Sequence, residues 1–116
     1  MLVLTLPEPP STNRLFGVSK TGQRYPSRAY KAWIKEAGWQ IRIQRVKAVT
    51  GPYEVQIEIS SISGLDADNA VKALADALVK MKITDDDRHC KSVTVSKVDT
   101  VERGQCRVVV WPWMQM

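Results

Sequence analysis

The chain is poor in cysteine and histidine and has no long apolar run, and each scarcity excludes a class of protein. No stretch approaches the ~20 apolar residues that a membrane helix needs, which excludes a transmembrane protein. The opening residues MLVLTLP carry no basic segment and reach proline early, so we do not expect a signal peptide. Two cysteines, Cys90 and Cys106, cannot form a disulfide framework, and the cytoplasm is the expected location.

Motifs of several enzyme classes are also missing. His89 and Cys90 are adjacent but have no second pair of ligands, so a zinc site has little support. An EF-hand loop over the aspartates would need glycine at Val71 and a ligand at Ala70, so it fails. The sequence has no Gly-rich phosphate loop and no Ser-His-Asp pattern. We interpret His89 as a surface or turn residue and both cysteines as small hydrophobic strand residues.

Charge is spread unevenly along the chain. The 116 residues, 44% hydrophobic and 25% charged, are typical of one globular domain over residues 1–116, with a net charge of +5. Residues 1–50 contain nine Lys or Arg and two Glu, a local balance of +7, whereas six of the seven aspartates fall between Asp66 and Asp87. A basic region beside an acidic cluster is typical of enzymes that bind phosphates and metal ions, and equally of two regions that neutralise each other.

Apolar periodicity predicts an α+β fold. It indicates two helices on one mixed β-sheet, a two-layer domain with the element order β-loop-α-β-α-β-β. The predicted elements are a strand over Leu2–Leu6, a loop or loose hairpin over 9–28, a helix from Ser27 as N-cap to about Ala48, a strand over Tyr53–Ser60, a helix over about Ala67–Lys82, and strands over Val93–Val98 and Arg107–Trp111 around a turn at Gly104.

The first predicted helix has two apolar strips and a basic side. The main apolar stripe, which predicts the core face, comprises Tyr30, Trp33, Ile34, Ala37 and Ile41. A second strip that a single core does not need comprises Trp39, Ile43 and Val46, and it indicates a partner helix or a dimer surface. The basic side comprises Arg28, Lys31, Lys35 and Arg42. For these charges alone, a solvated surface is the favoured interpretation.

The second predicted helix separates apolar from charged residues. Asp68, Lys72 and Asp76 recur at four-residue spacing opposite the apolar side, and Asn69 lies beside them. Asp66 precedes the first turn, where carboxylates commonly cap a helix. The triplet 85–87 follows the last turn, and it returns toward the start of the helix if the next strand runs beside the helix.

These aspartates permit two interpretations. Carboxylates are preferred ligands of Mg²⁺, which can activate a water for attack on a phosphodiester, and a lysine on the same face can neutralise the developing charge. Alternatively, Asp66 caps the helix, Asp68 and Asp76 form ion pairs with Lys72, and the triplet is a solvated turn. Acidic helix faces are common and active sites are rare, so the pattern alone favours the structural interpretation.

A family resemblance adds to this pattern. The segments Leu65-Asp66-Ala67-Asp68-Asn69, Lys72, Asp76-Ala77-Leu78 and Asp86-Asp87 resemble the core of the RusA-type Holliday-junction resolvases. The opening segment 6–14, LPEPPSTNR, resembles that family's N-terminal Pro-Pro-Ser-x-Asn-Arg motif. The resemblance extends from residue 2 to about residue 98, with all segments in the family's order.

The resemblance implies a homodimeric, Mg²⁺-dependent endonuclease, with Mn²⁺ as a substitute ion, that cuts four-way DNA junctions in recombination and repair. It implies that Asp66, Asp68 and Asp87 are catalytic metal ligands and that Lys72 is the essential lysine. Asn69, Asp76 and Asp86 match positions with supporting roles, and a one-residue slip would move the third ligand to Asp86. Leu65 stands where family members often carry a basic residue, which weakens one expected phosphate contact.

The expected DNA contacts are basic residues of the N-terminal region. They comprise Arg14, Lys20, Arg24, Arg28, Lys31 and Lys35, which we expect to hold phosphates without reading sequence. Phe16 lies between them and is either a wedge for the junction or, more commonly for such a residue, a packing residue.

Two other functions fit parts of the sequence. A non-cleaving junction-binding protein would share the fold and the basic face, but it would gain affinity by losing the carboxylates. A Mg²⁺ phosphohydrolase acting on nucleotides would need a base pocket, for which the sequence offers no candidate. We expect no membrane partner and no small-molecule cofactor beyond the metal ion.

Overall fold

The computed structural model describes residues 1–11 and 14–114, except the side chains of Asn69 and Asp87. The strands are β1 (Leu2–Pro7), β2 (Phe16–Val18), β3 (Arg24–Pro26), β4 (Tyr53–Ser60), β5 (Cys90–Val98) and β6 (Gln105–Pro112). The helices are α1 (Arg28–Gln44) and α2 (Val71–Lys80), and 3₁₀ turns cover Ala67–Ala70 and Asp87–His89. This confirms the α+β class and the predicted element order, and the predicted loose hairpin is the β2–β3 pair.

The main sheet is mixed, with strand order β1-β6-β4-β5. β6 pairs antiparallel with both β1 and β4, whereas β4 and β5 are parallel. Alternating side chains of the strands and the apolar stripes of both helices form one core, which includes Leu4, Leu6, Trp33, Ala37, Ile41, Val55, Ile57, Ile59, Leu74, Leu78, Val108 and Val110. In the described part of the chain, no helix is long and apolar enough to cross a membrane.

Helix α1 begins where the sequence predicts and ends earlier. The Ser27 hydroxyl accepts a hydrogen bond from the Tyr30 amide at 3.0 Å, which confirms Ser27 as the N-cap. The predicted end at about Ala48 is wrong, because the helix stops at Gln44 and Arg45 takes a left-handed conformation (φ 52°). After that turn, Val49 donates its amide to the Ile83 carbonyl and bridges to the end of the second helical segment.

The second predicted helix, over about Ala67–Lys82, is shorter than expected at both ends. Its first turn is the 3₁₀ segment Ala67–Ala70, and the α-helix ends at Lys80. Lys82 is left-handed (φ 60°); its amide donates to the Val79 carbonyl, and the Ile83 amide donates to the Leu78 carbonyl. This is the Schellman arrangement, which glycine usually makes and which a lysine makes here.

The two edges of the main sheet differ. At β1, the Gln44 side chain accepts from the Thr5 amide at 2.8 Å and donates to the Thr5 carbonyl at 2.7 Å, which satisfies edge groups of that strand. At the opposite edge lies β5, whose residue Val93 is 41% exposed. The parallel pairing of β4 with β5 means that α2 carries the chain from the carboxyl end of β4 back to its amino end.

Candidate metal and nucleic-acid site

Asp66 and Asp68 lie at the carboxyl end of β4, in and beside the 3₁₀ turn that opens the second helical segment. Asp66 occupies the N-cap position, but its carboxylate makes no capping hydrogen bond. Asp66 and Asp68 are both exposed, and neither carboxylate has a hydrogen bond or an ion pair among the described residues. The capping role that the structural interpretation assigned to Asp66 is therefore wrong.

The segment before Asp66 is held in place by the body of the protein. The Ser63 hydroxyl accepts from the Leu65 amide at 3.0 Å and donates to the Glu8 carboxylate. The Lys97 ammonium donates to the Ser63 carbonyl at 3.2 Å, and Leu65 is buried. The backbone that leads into these two solvent-facing carboxylates is thus anchored by Glu8 and by Lys97 of β5.

Lys72 has one of the two ion pairs that the helical spacing predicted. Its ammonium lies 3.4 Å from the Asp76 carboxylate, and no contact joins it to Asp68 in the described structure. The same Asp76 oxygen accepts a hydrogen bond from the Tyr30 hydroxyl at 3.3 Å. Burial and the negative charge of Asp76 raise the pKa of Tyr30 to about 12, so the phenol remains a protonated donor at neutral pH.

The triplet 85–87 lies at the other end of α2. Asp85 accepts from the Gly51 amide at 3.1 Å and contacts the His89 ring at 2.9 Å, and the bond to His89 and then that to Gly51 lower its pKa. Asp86 uses one oxygen for the Arg88 amide at 2.9 Å and the other for the Arg88 guanidinium at 2.7 Å. Asp85 and Asp86 therefore belong to a hydrogen-bonded turn and are not freely solvated.

Asp86 is one of the two candidates for the third metal ligand, and both of its carboxylate oxygens accept hydrogen bonds from Arg88. The choice between Asp86 and Asp87 stays a prediction. The side chains of Asp87 and Asn69 lie outside the described residues. The catalytic and supporting roles of these two residues remain predictions.

One protomer does not bring the predicted ligands together. Asp66 follows the carboxyl end of β4, whereas Asp87 directly precedes β5, whose start is paired with Tyr53 at the amino end of β4. The helical segment between them places their backbones roughly 20 Å apart. Among the side chains that the structure describes, no group of three His, Cys, Asp or Glu could hold a metal ion.

The predicted DNA contacts are all exposed and lie on one continuous stretch of chain. Arg14 precedes the β2–β3 hairpin, Lys20 and Arg24 belong to it, and the others are on α1: Arg28, Lys31 and Lys35. The Arg24 guanidinium lies 4.5 Å from the centre of the Phe16 ring, and that ring packs edge-on against Tyr30 at 5.6 Å. Of the two predicted roles of Phe16, a junction wedge or a packing residue, this structure shows the packing role.

Two sets of residues were assigned less completely by the sequence. The first set makes hydrogen bonds to residues of the candidate site or to the segment before it, and comprises Tyr30, Glu8, Ser63 and Lys97. The bonded residues are far apart in sequence, so no local spacing could predict these contacts. The second apolar strip of α1 is exposed as expected at Trp39 (57%) and Ile43 (53%), while Val46 packs partly against the core. Its role as a dimer surface remains a prediction.

Comparison with known proteins assigns the chain to a family. No curated protein matches it. A family model described as endodeoxyribonuclease RusA matches residues 7–110, a range that includes each of the predicted site residues. Nucleases of this family resolve Holliday junctions, bind branched DNA and generally depend on a divalent metal ion. The match covers most of the chain, and the protein described above therefore belongs to the RusA endodeoxyribonuclease family.

Proposed function

We propose that this chain is a Mg²⁺-dependent, structure-selective endonuclease that resolves four-way junctions by paired phosphodiester hydrolysis in recombination and repair. The main support is the state of Asp66 and Asp68, which are exposed, unpaired among the described residues and presented by a fixed backbone. Carboxylates that stabilise neither a helix end nor an ion pair are available for a cation.

The donor set fits a hard ion. Asp66, Asp68 and Asp87 would hold Mg²⁺ through oxygen ligands, and Mn²⁺ would accept the same ligands. The bound ion would supply water activation and charge stabilisation. Lys72, one helical turn after Asp68 and more than half exposed, would neutralise charge on the phosphate during hydrolysis.

We further infer that the site is completed by a second copy of the chain. One protomer keeps the backbone of Asp87 roughly 20 Å from that of Asp66, which is too far for both side chains to reach one ion at metal–oxygen distances of about 2.0–2.6 Å. In a twofold dimer, the partner's Asp87 reaches Asp66 if the axis is perpendicular to the line between the two residues in one protomer and passes close to its midpoint. That midpoint is level with the middle of α2 and of β5. Two identical sites then result, as paired cuts in a four-way junction require.

The middle of β5 is suited to such an axis. It is an edge strand, and Val93 at its centre is 41% exposed. Partly buried apolar side chains of α2 and β5 lie beside it: Val71, Ala75 and Cys90. Antiparallel packing of two β5 edges would cover this apolar surface and place the start of one β5 beside the end of the other.

The basic residues would then hold the arms of the junction. Arg14, Lys20 and Arg24 lie in and before the hairpin, and Arg28, Lys31 and Lys35 extend the positive surface along α1. Such contacts position phosphates without selecting bases, and they make binding sensitive to salt.

The test is cleavage of a labelled four-way junction beside a linear duplex of the same sequence, with and without Mg²⁺. The proteins are the wild type, Asp68→Asn and the matched control Asp99→Asn, which changes an exposed aspartate in the β5–β6 turn. We expect symmetric, Mg²⁺-dependent cuts at the junction by the wild type and the control and none by Asp68→Asn. Equal binding by all three proteins without cutting would instead identify a non-cleaving junction-binding protein.

A further inference from the structure

Asp76 contacts side chains of both helices, and one of them is Lys72, the candidate catalytic lysine. Its Oδ2 atom accepts the Tyr30 hydroxyl at 3.3 Å from α1 and the Lys72 ammonium at 3.4 Å from one turn earlier on α2. Two donors from separate elements therefore meet on one carboxylate oxygen. Tyr30 lies on the apolar stripe of α1, and its buried hydroxyl needs a hydrogen-bond acceptor, which Asp76 supplies.

The Tyr30 ring packs against two other aromatic rings. It is 4% exposed, stacks on Trp33 at 6.3 Å between ring centres and makes a T-shaped contact with Phe16 at 5.6 Å. Trp33 is itself fixed, because its indole N–H donates to the Pro7 carbonyl at 2.8 Å. The hydroxyl of Tyr30 is thus a donor whose position is set by the core, and its pKa of about 12 keeps it protonated.

Lys72, in contrast, is a long side chain on the exposed face of α2. Its side chain is 53% exposed, and an exposed i,i+4 ion pair adds little to the stability of a fold. A lysine ammonium on four rotatable bonds must nevertheless be confined if it is to meet a reacting phosphate. Asp76 is the group that confines it, and Tyr30 is the group that fixes Asp76.

We propose that Tyr30 is a positioning residue for the cleavage reaction: its hydroxyl orients the Asp76 carboxylate, and that carboxylate directs the Lys72 ammonium toward the scissile phosphate. This role rests on the proposed function, because it requires that Lys72 contacts the reacting phosphate. It assigns the Tyr30 hydroxyl an effect on turnover and not on DNA affinity, since the hydroxyl is buried behind Asp76.

The test compares Tyr30→Phe with Tyr25→Phe, which removes a hydroxyl from an exposed tyrosine (48%) of the hairpin. For each protein, junction affinity is measured with Ca²⁺ in place of Mg²⁺, and the single-turnover cleavage rate is measured at saturating protein with Mg²⁺. We expect Tyr30→Phe to cut about tenfold more slowly with junction affinity close to the wild type, and to melt at a lower temperature because a partly buried hydrogen bond to a charged group is lost. Tyr25→Phe should match the wild type in all three measurements.

Combined variants separate positioning from general structural damage. In a Lys72→Ala background, Tyr30→Phe should cause no further loss of rate, because its effect passes through the lysine. An additive loss, or equal rates for Tyr30→Phe and Tyr25→Phe, would overturn the positioning role while leaving the nuclease assignment intact. If Tyr30→Phe does not fold, Asp76→Asn decides, with a rate loss at unchanged affinity expected. A wild type that cuts no junction would overturn the proposed function itself.

Discussion

The two ends of α2 use the same residue type in opposite ways. At its start, Asp66 and Asp68 are exposed and make no hydrogen bond or ion pair among the described residues. At its end, Asp85 and Asp86 are bonded to Gly51, His89 and Arg88. The carboxylates at the end therefore order the turn that carries Asp87, whereas those at the start contribute no bond to the fold, which agrees with the proposed role in metal binding.

The largest expected effect is on cleavage, from substitutions at the start of α2. Asp66→Ala should reduce junction cutting by about 10³-fold, as expected for loss of a group that stabilises the transition state, with little change in melting temperature because no bond is lost. Asp86→Ala should lower the melting temperature, because it removes the bonds to Arg88. Cleavage assays and thermal melts of both variants check this contrast. The expected contrast is contradicted if Asp66→Ala lowers the melting temperature more than Asp86→Ala does.

The next largest effect is expected at the β5 edge of the sheet, where two copies of the chain are proposed to pack. Val93→Lys, in the middle of β5, should reduce the mass in solution to that of one 13.1 kDa chain and abolish cleavage with it. The matched control is Val3→Lys on the opposite edge strand, where the side chain is 44% exposed. Sedimentation of both variants gives the mass. If Trp39→Glu with Ile43→Lys yields monomers and Val93→Lys does not, the α1 strip is the dimer surface instead.

A smaller effect is expected on stability in acid. The folded-state pKa of Asp85 lies below its ordinary value of 3.8, so its bonds add stability above that pH, and this stability is lost as the pH falls through the lowered pKa. The melting temperature of the wild type should therefore fall more between about pH 5 and about pH 2 than that of Asp85→Asn. An equal fall in melting temperature for the two proteins would show that the bonds to His89 and Gly51 do not stabilise the fold.

Local sequence patterns predicted much of the fold. The alternation in β4, the stripe on α1 and the Ser27 cap all depend on neighbouring residues, and the structure confirms them. The helix ends were predicted less well, because Arg45 and Lys82 adopt the left-handed conformation that usually identifies a glycine. Non-glycine residues at such positions give no local signal.

The candidate site depended more on long-range structure. Spacing placed Asp68, Lys72 and Asp76 on one helix face, but it could not show that Lys72 pairs with Asp76, since either neighbour satisfies the i,i+4 rule. The bond from Tyr30 joins residues 46 positions apart. Likewise, the distance between Asp66 and Asp87 follows from the parallel pairing of β4 and β5, which no local pattern specifies.

The most direct test of a site shared between two copies is complementation between two inactive variants. Asp68→Asn and Asp87→Asn are each expected to form dimers without cleavage activity. In a mixed dimer, one site would combine both substitutions, while the other would have its full set of native carboxylates. Mixing the two proteins under conditions that exchange subunits should therefore restore Mg²⁺-dependent nicking of one strand at the junction. If mixed dimers are verified by mass and no nicking returns, each site lies within one protomer, and the account is contradicted.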